Sequence, residues 1–338
     1  MARSLRIEKE NGVYHIINRG NYRQDLFINE GAHTSFENCL FEACEKCGWV
    51  LEGFCVMTNH FHLVVRTPKG NLIYGMKWLQ STFANRYHQF RKVHGKLFQG
   101  RYKSLIVEED SHLGALLHYV HLNPVRAGMV TIDELKHYRW SSYWYLFNKR
   151  KRPPFLDSTG ALIGSGGLAD TPKGRMQYED YLRWLSTDNA AQKEFAFEKM
   201  CRGWAIGTKD FKKALLKELE KSDDVDNEDN TSERDTILRY DGASLREANE
   251  LQWELLLEKG LSVLEKNAEA LVNDKKSEAW KVLLATLLKQ KSSATNVWIT
   301  QKLNMGTSDA VSRYVSEFKH SRGHEKKAYK SLITKVMT

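Results

Sequence analysis

The chain has 338 residues, 41% hydrophobic and 28% charged, a composition that supports a soluble globular protein with ample material for a core. A formal net charge of +9 points to a polyanionic partner, nucleic acid or an anionic membrane surface, although a merely basic soluble protein carries the same balance. The basic N-terminus (Met1-Ala2-Arg3-Ser4-Leu5-Arg6-Ile7-Glu8) has no apolar secretory segment, and no apolar run approaches a membrane span.

The expectation is therefore a soluble, cytoplasmic protein of two or three domains. Five cysteines, an odd number, are expected as reduced thiols. Cys44 and Cys47 form a C-x-x-C with no second pair at zinc-finger spacing. Together with Phe36, Leu40 and Phe41 they read as a buried helix face rather than a zinc or redox site.

Taken in order, Val13-Tyr14-His15-Ile16-Ile17-Asn18-Arg19-Gly20 reads as a strand ending at glycine. Residues 30–46 carry apolar positions at helical spacing. Residues 49–57 and 59–66 are two apolar strands joined by a turn short enough to make them an antiparallel hairpin. Pro68-Lys69-Gly70-Asn71 is a turn, and residues 72–94 form a long amphipathic helix through Leu72, Met76, Leu79, Phe83, Tyr87 and Phe90. A fourth strand is Leu105-Ile106-Val107. Ser111 then caps a helix running to about Leu122 and halted by Pro124. The order β-α-β-β-α-β plus one helix predicts an α+β, ferredoxin-like (RRM-like palm) antiparallel sheet with its third strand central.

That third strand carries His60-Phe61-His62. Period-two alternation puts both imidazoles on one face and Phe61 with Leu63 on the other. Two imidazoles on a rigid strand are half of a metal site, or else a strand with two half-exposed histidines. The following helix places Tyr119 and Asn123 on one face, four residues apart. A phenol is a nucleophile once deprotonated, and an amide oxygen can join two imidazoles as a third ligand. Alternatively, Tyr119 is a half-buried helix tyrosine and Asn123 a cap ahead of proline.

The H-F-H strand followed by Tyr119-Val120-His121-Leu122-Asn123-Pro124-Val125-Arg126-Ala127-Gly128 resembles the single-tyrosine HUH transposases of the insertion-sequence-200-like type. The Asn-Pro-Val-Arg-Ala-Gly ending is most similar to their repeat-associated branch, the REP-associated tyrosine transposases. The similarity covers about residues 12–143 and includes Leu97-Phe98-Gln99-Gly100-Arg101-Tyr102-Lys103. It implies a metal-dependent single-strand DNA endonuclease and strand transferase acting on single-stranded or hairpin DNA. By that resemblance His60 and His62 bind Mg²⁺ or Mn²⁺ with Asn123 as third ligand, and Tyr119 forms a 5′-phosphotyrosine intermediate, leaving a free 3′-OH.

Arg19, Arg23, Arg86, Arg101, Lys103, Arg126 and Arg139 become candidates for a phosphate track, with Tyr22, Tyr87, Tyr102 and Trp140 for base stacking. Taken singly, each basic residue reads as a solvated charge. Arg101 and Lys103 stand apart because they lie in a family-like segment. His15, His118 and His121 read as structural residues or as supports behind other ligands.

In the second half, Arg150-Lys151-Arg152-Pro153-Pro154 and the Gly-rich residues 160–167 predict a linker, ending a first domain at residue 150. Residues 151–221 are a helical extension, with Arg202-Gly203-Trp204-Ala205-Ile206-Gly207 as a turn. Residues 222–235 form an acidic flexible linker. Residues 236–338 are an all-α domain, in which residues 294–320 pattern as a helix-turn-helix. There Ser308, Asp309, Ser312 and Arg313 start the second helix and would face DNA.

The expectation is a nucleoid-associated enzyme, monomeric or homodimeric. The alternative is a domesticated, non-mobile protein that binds repeat hairpins in a regulatory role. An RNA-binding protein on the same scaffold leaves the His pair opposite Tyr119 unexplained.

Overall fold

The computed structural model describes residues 7–109, 111–225, 246–321 and 327–337. Its described residues divide into two units, one up to residue 208 and one from residue 209 onward.

The first unit opens β1 (Gly12–Arg19), α1 (Glu30–Cys47), β2 (Val50–Val56), β3 (His60–Thr67), α2 (Leu72–Arg91), β4 (Lys103–Val107) and α3 (Ser111–Arg126). It continues through α4 (Ser142–Phe147), α5 (Thr159–Ile163), α6 (Pro172–Thr187), α7 (Asn189–Glu194) and β5 (Ala205–Ile206). The sheet order is β2-β3-β1-β4-β5. All pairings are antiparallel except β4 with β5. The architecture is thus mixed α and β around a mostly antiparallel sheet, with β3 between β2 and β1.

Local chemistry sets the element ends. The Asn29 side chain accepts from the Ala32 N–H at 3.0 Å to start α1, and Gly48, left-handed at φ 67°, ends it. The helix α2 stops at Arg91, short of the expected His94, because Lys92 turns left-handed at φ 51°. Pro124 does not halt α3, which runs on to Arg126. A proline ring already has a helical φ, and the next turn still closes with the Ala127 N–H donating to the Asn123 carbonyl at 2.9 Å.

The two faces of β3 part as its alternation requires. Phe61 packs on Phe36 of α1 at 4.7 Å between ring centroids, so the apolar face lies against α1 and α2. On the other face Val64, with Val13, Leu105 and Val107, packs on Leu116, Leu117 and Val120 of α3.

The boundary expected at residue 150 lies inside this unit. Arg152 pairs with Asp170 at 2.9 Å, and the Leu51 N–H donates to the Phe155 carbonyl at 2.8 Å, so the Pro-Pro segment covers the exposed edge of β2. The Gly-rich stretch also packs. The Cα of Gly164 lies 2.7 Å from where a Cβ on Gly114 would stand, so these glycines let α5 approach α3. The predicted turn at residues 202–207 contains β5, because the edge of β4 needs a partner: the Glu108 N–H donates to the Ile206 carbonyl at 2.8 Å.

The second unit holds α8 (Lys209–Val225), α9 (Arg246–Val263), α10 (Ala268–Asn273), α11 (Ala279–Lys291), α12 (Asn296–Leu303), α13 (Ser308–His320) and α14 (Lys327–Met337). Its core joins Trp253, Leu284, Leu288, Ile299, Val311 and Tyr329. Residues 222–225 of the expected acidic linker are the last turn of α8, and residues 226–235 lie outside the described residues. After α12, Asn304 and Gly306 adopt φ of 50° and 90°, and the Thr307 side chain accepts from the Ala310 N–H to begin α13. Val311 and Val315 of α13 face the core, while Asp309, Ser312 and Arg313 are exposed and Ser308 is half-buried. Among the described residues no helix is long and apolar enough to cross a membrane.

Candidate active site

The register of the sheet builds the site from four strands. Cys55 of β2 pairs with His62 of β3, His62 with Ile17 of β1, and Ile17 with Lys103 of β4. Directly paired residues share a sheet face, so His60, His62, His15 and Lys103 all project toward the side covered by α3.

His62 is 2% exposed and His60 is half-buried. Their ring centroids are 5.1 Å apart. Burial holds both imidazoles below their ordinary pKa. The positive charge of Arg19 adds to the effect at His60, and at His62 competition with His15 and His60 for a proton adds to it, followed by the charge of Arg126. Both are neutral at pH 7.

Their hydrogen bonds then assign the tautomers by inference from the network. His15 Nδ1 lies 2.9 Å from the Met200 carbonyl, which can accept but not donate, so this nitrogen carries the proton. Buried completely, His15 is pushed down to about 4 and is neutral. Its Nε2 therefore accepts, and the His62 Nδ1 at 2.9 Å must be the donor. The Nε2 of His62 keeps its lone pair. At His60 the Nδ1 lies 2.7 Å from the Asn59 side-chain oxygen, while the Asn59 amide nitrogen donates to the Arg23 carbonyl at 3.4 Å. His60 Nε2 likewise keeps its lone pair.

Tyr119 stands against this platform. Its ring lies 5.7 Å from that of His62, edge to face, and 6.1 Å from that of His15. The side chain is 7% exposed. The phenol oxygen is 3.0 Å from the thiol of Cys201. Burial, and then Cys201, push the phenol well above its ordinary pKa, against the opposing pull of Arg126 and Asn123. The Arg126 guanidinium lies 4.8 Å from the Tyr119 ring and 5.3 Å from that of Phe197, so the cation sits between two aromatic faces. One turn after Tyr119, the Asn123 amide donates to the Tyr119 carbonyl at 3.1 Å, which leaves its side-chain oxygen as the atom able to ligate.

Among the described residues no group of three or more His, Cys, Asp or Glu side chains is placed to hold a metal ion. The Nε2 lone pairs of His60 and His62 are donors of a kind that could hold a divalent ion, and the amide oxygen of Asn123 on α3 is a third of the same kind. This set is neutral and leaves the ion its full charge for phosphate oxygens.

The expected phosphate-contacting residues differ in what surrounds them. Arg86 is held by Glu42 through two bonds of 2.8 Å, and Arg139 by Glu37 through bonds of 2.8 and 2.7 Å while stacked on Trp144. Arg19 donates to the Gln99 side chain. Lys103 donates to the Cys201 carbonyl at 2.8 Å, and burial lowers its pKa. Arg23, Arg101 and Arg126 are exposed. Of the aromatic candidates, Tyr22 is 91% exposed on a turn where it and Arg23 have φ of 53° and 60°, Tyr102 is 8% exposed, and Trp140 stacks on His33.

Sequence reasoning missed Met200 and Cys201, which come from the segment between α7 and β5. No local pattern marks a residue whose partner lies 185 positions away in His15, or 82 away in Tyr119. His118 and His121 face away from this site into a buried network. His121 Nε2 lies 2.9 Å from the Ser142 hydroxyl, and the Tyr178 hydroxyl is 2.9 Å from His121 Nδ1 and 3.0 Å from His118 Nδ1.

Comparison with known proteins places these residues in context. Residues 8–123 match the family model "Transposase IS200 like". A Haemophilus influenzae protein described as a "putative REP-associated tyrosine transposase" is 25% identical over 128 residues, 35% of this chain and 69% of that protein. A solved structure of a REP-associated tyrosine transposase bound to a REP hairpin matches 45% of this chain and 89% of its own, with 12% identity and a TM-score of 0.39. His15, His60, His62, Tyr119 and Asn123 all fall within residues 8–123, the stretch of this chain that is similar to the IS200-like transposase family.

Proposed function

We propose that the chain is a metal-dependent single-strand DNA endonuclease and strand transferase that acts on hairpin-associated DNA through a 5′-phosphotyrosine. The observation that carries this reading is the edge-to-face contact of Tyr119 with His62, at 5.7 Å, beside two imidazoles whose Nε2 atoms keep their lone pairs. The strand order β2-β3-β1-β4 supports the ferredoxin-like palm on which such a site would be built.

His60, His62 and Asn123 would hold Mg²⁺ or Mn²⁺. The bound ion would polarise the scissile phosphate. The Tyr119 oxygen attacks phosphorus, the bond from phosphorus to the 3′ oxygen breaks, and the phenolic proton ends on that oxygen. A phosphate ester is exchanged for a phosphate ester, so a 3′-OH can reverse the step with no external energy. Because Tyr119 contacts the His62 of its own chain, the reading is of action in cis. Arg126 lies beside the phenol and would meet the phosphate, Lys103 and Arg101 follow on the β4 side, and Arg19 and Arg23 lie on the side of His60. In the second unit α12 and α13 support a helix-turn-helix with Ser308, Asp309, Ser312 and Arg313 toward DNA.

The test is to incubate the full chain with Mg²⁺ and labelled single-stranded DNA carrying a hairpin, then look for a covalent adduct on a denaturing gel. An adduct with the wild type and none with Tyr119→Phe is expected. One that persists in Tyr119→Phe would overturn the assignment. The burial of the phenol against Cys201 favours a second reading, a hairpin-binding regulator without cleavage, which binding with no adduct in any divalent metal would support.

A further inference from the structure

Neutral histidine has two tautomers, and in solution the proton prefers Nε2, the nitrogen a metal would need bare. Something in the fold must therefore oppose that preference at His62. The neighbours of its ring supply the means. Its Nδ1 faces His15 Nε2 at 2.9 Å, and the two rings are nearly parallel, with an interplanar angle of 20°. His15 in turn faces a backbone carbonyl, that of Met200, at 2.9 Å.

A carbonyl has no second tautomer. The chain of hydrogen bonds therefore has one direction. Met200 accepts from His15 Nδ1–H, His15 Nε2 accepts from His62 Nδ1–H, and His62 Nε2 is left unprotonated. We propose that His15 is a positioning residue that fixes the tautomer and ring orientation of His62, with the Met200 carbonyl as the fixed end of the relay. This rests on the metal-binding reading above only for what the bare Nε2 is used for.

The placement of the parts supports a dedicated role. His15 is completely buried, on the central strand β1, two positions along from Ile17, which pairs with His62. Met200 is held by its own N–H bond to the Phe197 carbonyl, and a few residues later β5 joins the edge of β4. Thus a segment outside the matched residues 8–123 sets a proton inside them. The neighbouring residue Cys201 meets Tyr119, so one short stretch touches both the proposed ligand and the proposed nucleophile.

The variants follow from atomic positions. In His15→Gln the side-chain carbonyl can occupy the place of Nε2 and still accept from His62. In His15→Phe the ring volume stays and every acceptor is lost.

The experiment uses the full chain with ¹⁵N-labelled histidine, free of metal, and reads the two ring nitrogens of His62 by long-range proton–nitrogen correlation. Mn²⁺ binding is then titrated by electron paramagnetic resonance. Wild type and His15→Gln should show His62 protonated at Nδ1. His15→Phe should show it protonated at Nε2 and bind Mn²⁺ about 10–100-fold more weakly, the usual cost of losing a residue that orients a metal ligand. A merely structural role for His15 would lower stability without moving that proton.

Wild-type His62 protonated at Nε2 would overturn the proposal, as would a folded His15→Phe with the tautomer unchanged. Should His15→Phe not fold, the wild-type and His15→Gln spectra decide alone. If the wild type binds no Mn²⁺ at this pair, the metal reading fails, while the tautomer assignment is still judged by the nitrogen shifts.

Discussion

The phenol oxygen of Tyr119 and the thiol sulfur of Cys201 are 3.0 Å apart, so the proposed nucleophile is closed off by a side chain from 82 residues further along. Burial raises the phenol above its ordinary pKa, Cys201 raises it further, and the smaller population of phenolate slows attack at a given pH. Cys201→Ala removes the second cause and opens the hydroxyl. The expected result is a several-fold faster formation of the DNA adduct between pH 7 and 9, with the rise in rate shifted to lower pH. Cys201→Ser, which keeps a hydrogen-bonding group, should resemble the wild type. A slower Cys201→Ala would mean that the thiol aligns the phenol rather than restrains it.

The buried histidines of α3 that face away from the sheet site make a separate prediction about pH. Burial pushes His118 down to about 4 and His121 down to about 3, from an ordinary value of 6.5. Their folded pKa values are depressed, so the unfolded chain takes up protons first. Stability is fully present above about pH 6.5 and is lost as the pH falls toward 4 and 3. At pH 5 each should cost about 2 kcal/mol relative to pH 7. Urea unfolding at the two pH values checks this, and His121→Gln should shrink the difference by about 2 kcal/mol, the remainder coming from His118 and the other buried histidines such as His15. Asp170 does not confuse the window. Burial opposes its ionisation, but the hydrogen bonds from Arg152, Arg175 and Lys149 prevail and hold it down to about 2. Its contribution is lost below the ordinary carboxylate range, not at pH 5. A midpoint unchanged between pH 7 and 5 would refute the neutral histidine pair.

How much of this was legible in the sequence depends on the range of each interaction. The alternation of His60, Phe61, His62 and Leu63 is local, and it separates the faces of β3 as expected. Tyr119 and Asn123 share a helix turn for the same reason. The stretch from Arg150 to Gly167 misled because proline and glycine signal linkers by composition. Here they serve close packing, at the edge of β2 and between Gly114 and Gly164. Cys201 and Met200 lay beyond any pattern, since tertiary folding alone brings them to Tyr119 and His15. Charge misled in another way. Arg86 and Arg139 look like their basic neighbours until Glu42 and Glu37 are seen to hold them.

The crossing of α3 and α5 depends on the absence of two side chains. A Cβ on Gly114 would stand 2.7 Å from the Cα of Gly164, and one on Gly164 would stand 2.5 Å from the Cα of Gly114. The neighbouring atom is backbone in both cases and cannot swing aside. Gly114→Ala should therefore destabilise the chain by about 1–3 kcal/mol, the usual cost of overpacking. Gly31→Ala is the control, because its Cβ would meet the Asn29 side chain at an ordinary 3.5 Å. In the first turn of α1 it should be neutral or stabilising by about 0.4–1 kcal/mol. Equal effects of the two substitutions in urea would mean that α5 shifts freely on α3.

Arg139 and Arg126 should separate stability from DNA handling. Arg139 neutralises Glu37, which is 4% exposed and also accepts from the Tyr145 hydroxyl at 2.9 Å. Arg139→Ala strands that carboxylate without its cation, and breaking such a buried pair costs about 3–5 kcal/mol. Arg126 is exposed and has ring faces rather than a carboxylate beside it, so Arg126→Ala should cost about 0.5–1 kcal/mol of stability. Its effect should lie in binding. If its charge meets a phosphate, Arg126→Ala weakens single-stranded DNA binding and lowers the salt slope of log K by about 1. Arg139→Ala, wherever it remains folded, should leave that slope unchanged. The exchanged pattern, with Arg139 carrying the salt dependence and Arg126 the stability, would move the phosphate track away from Tyr119 and take with it the role assigned to the guanidinium beside the phenol.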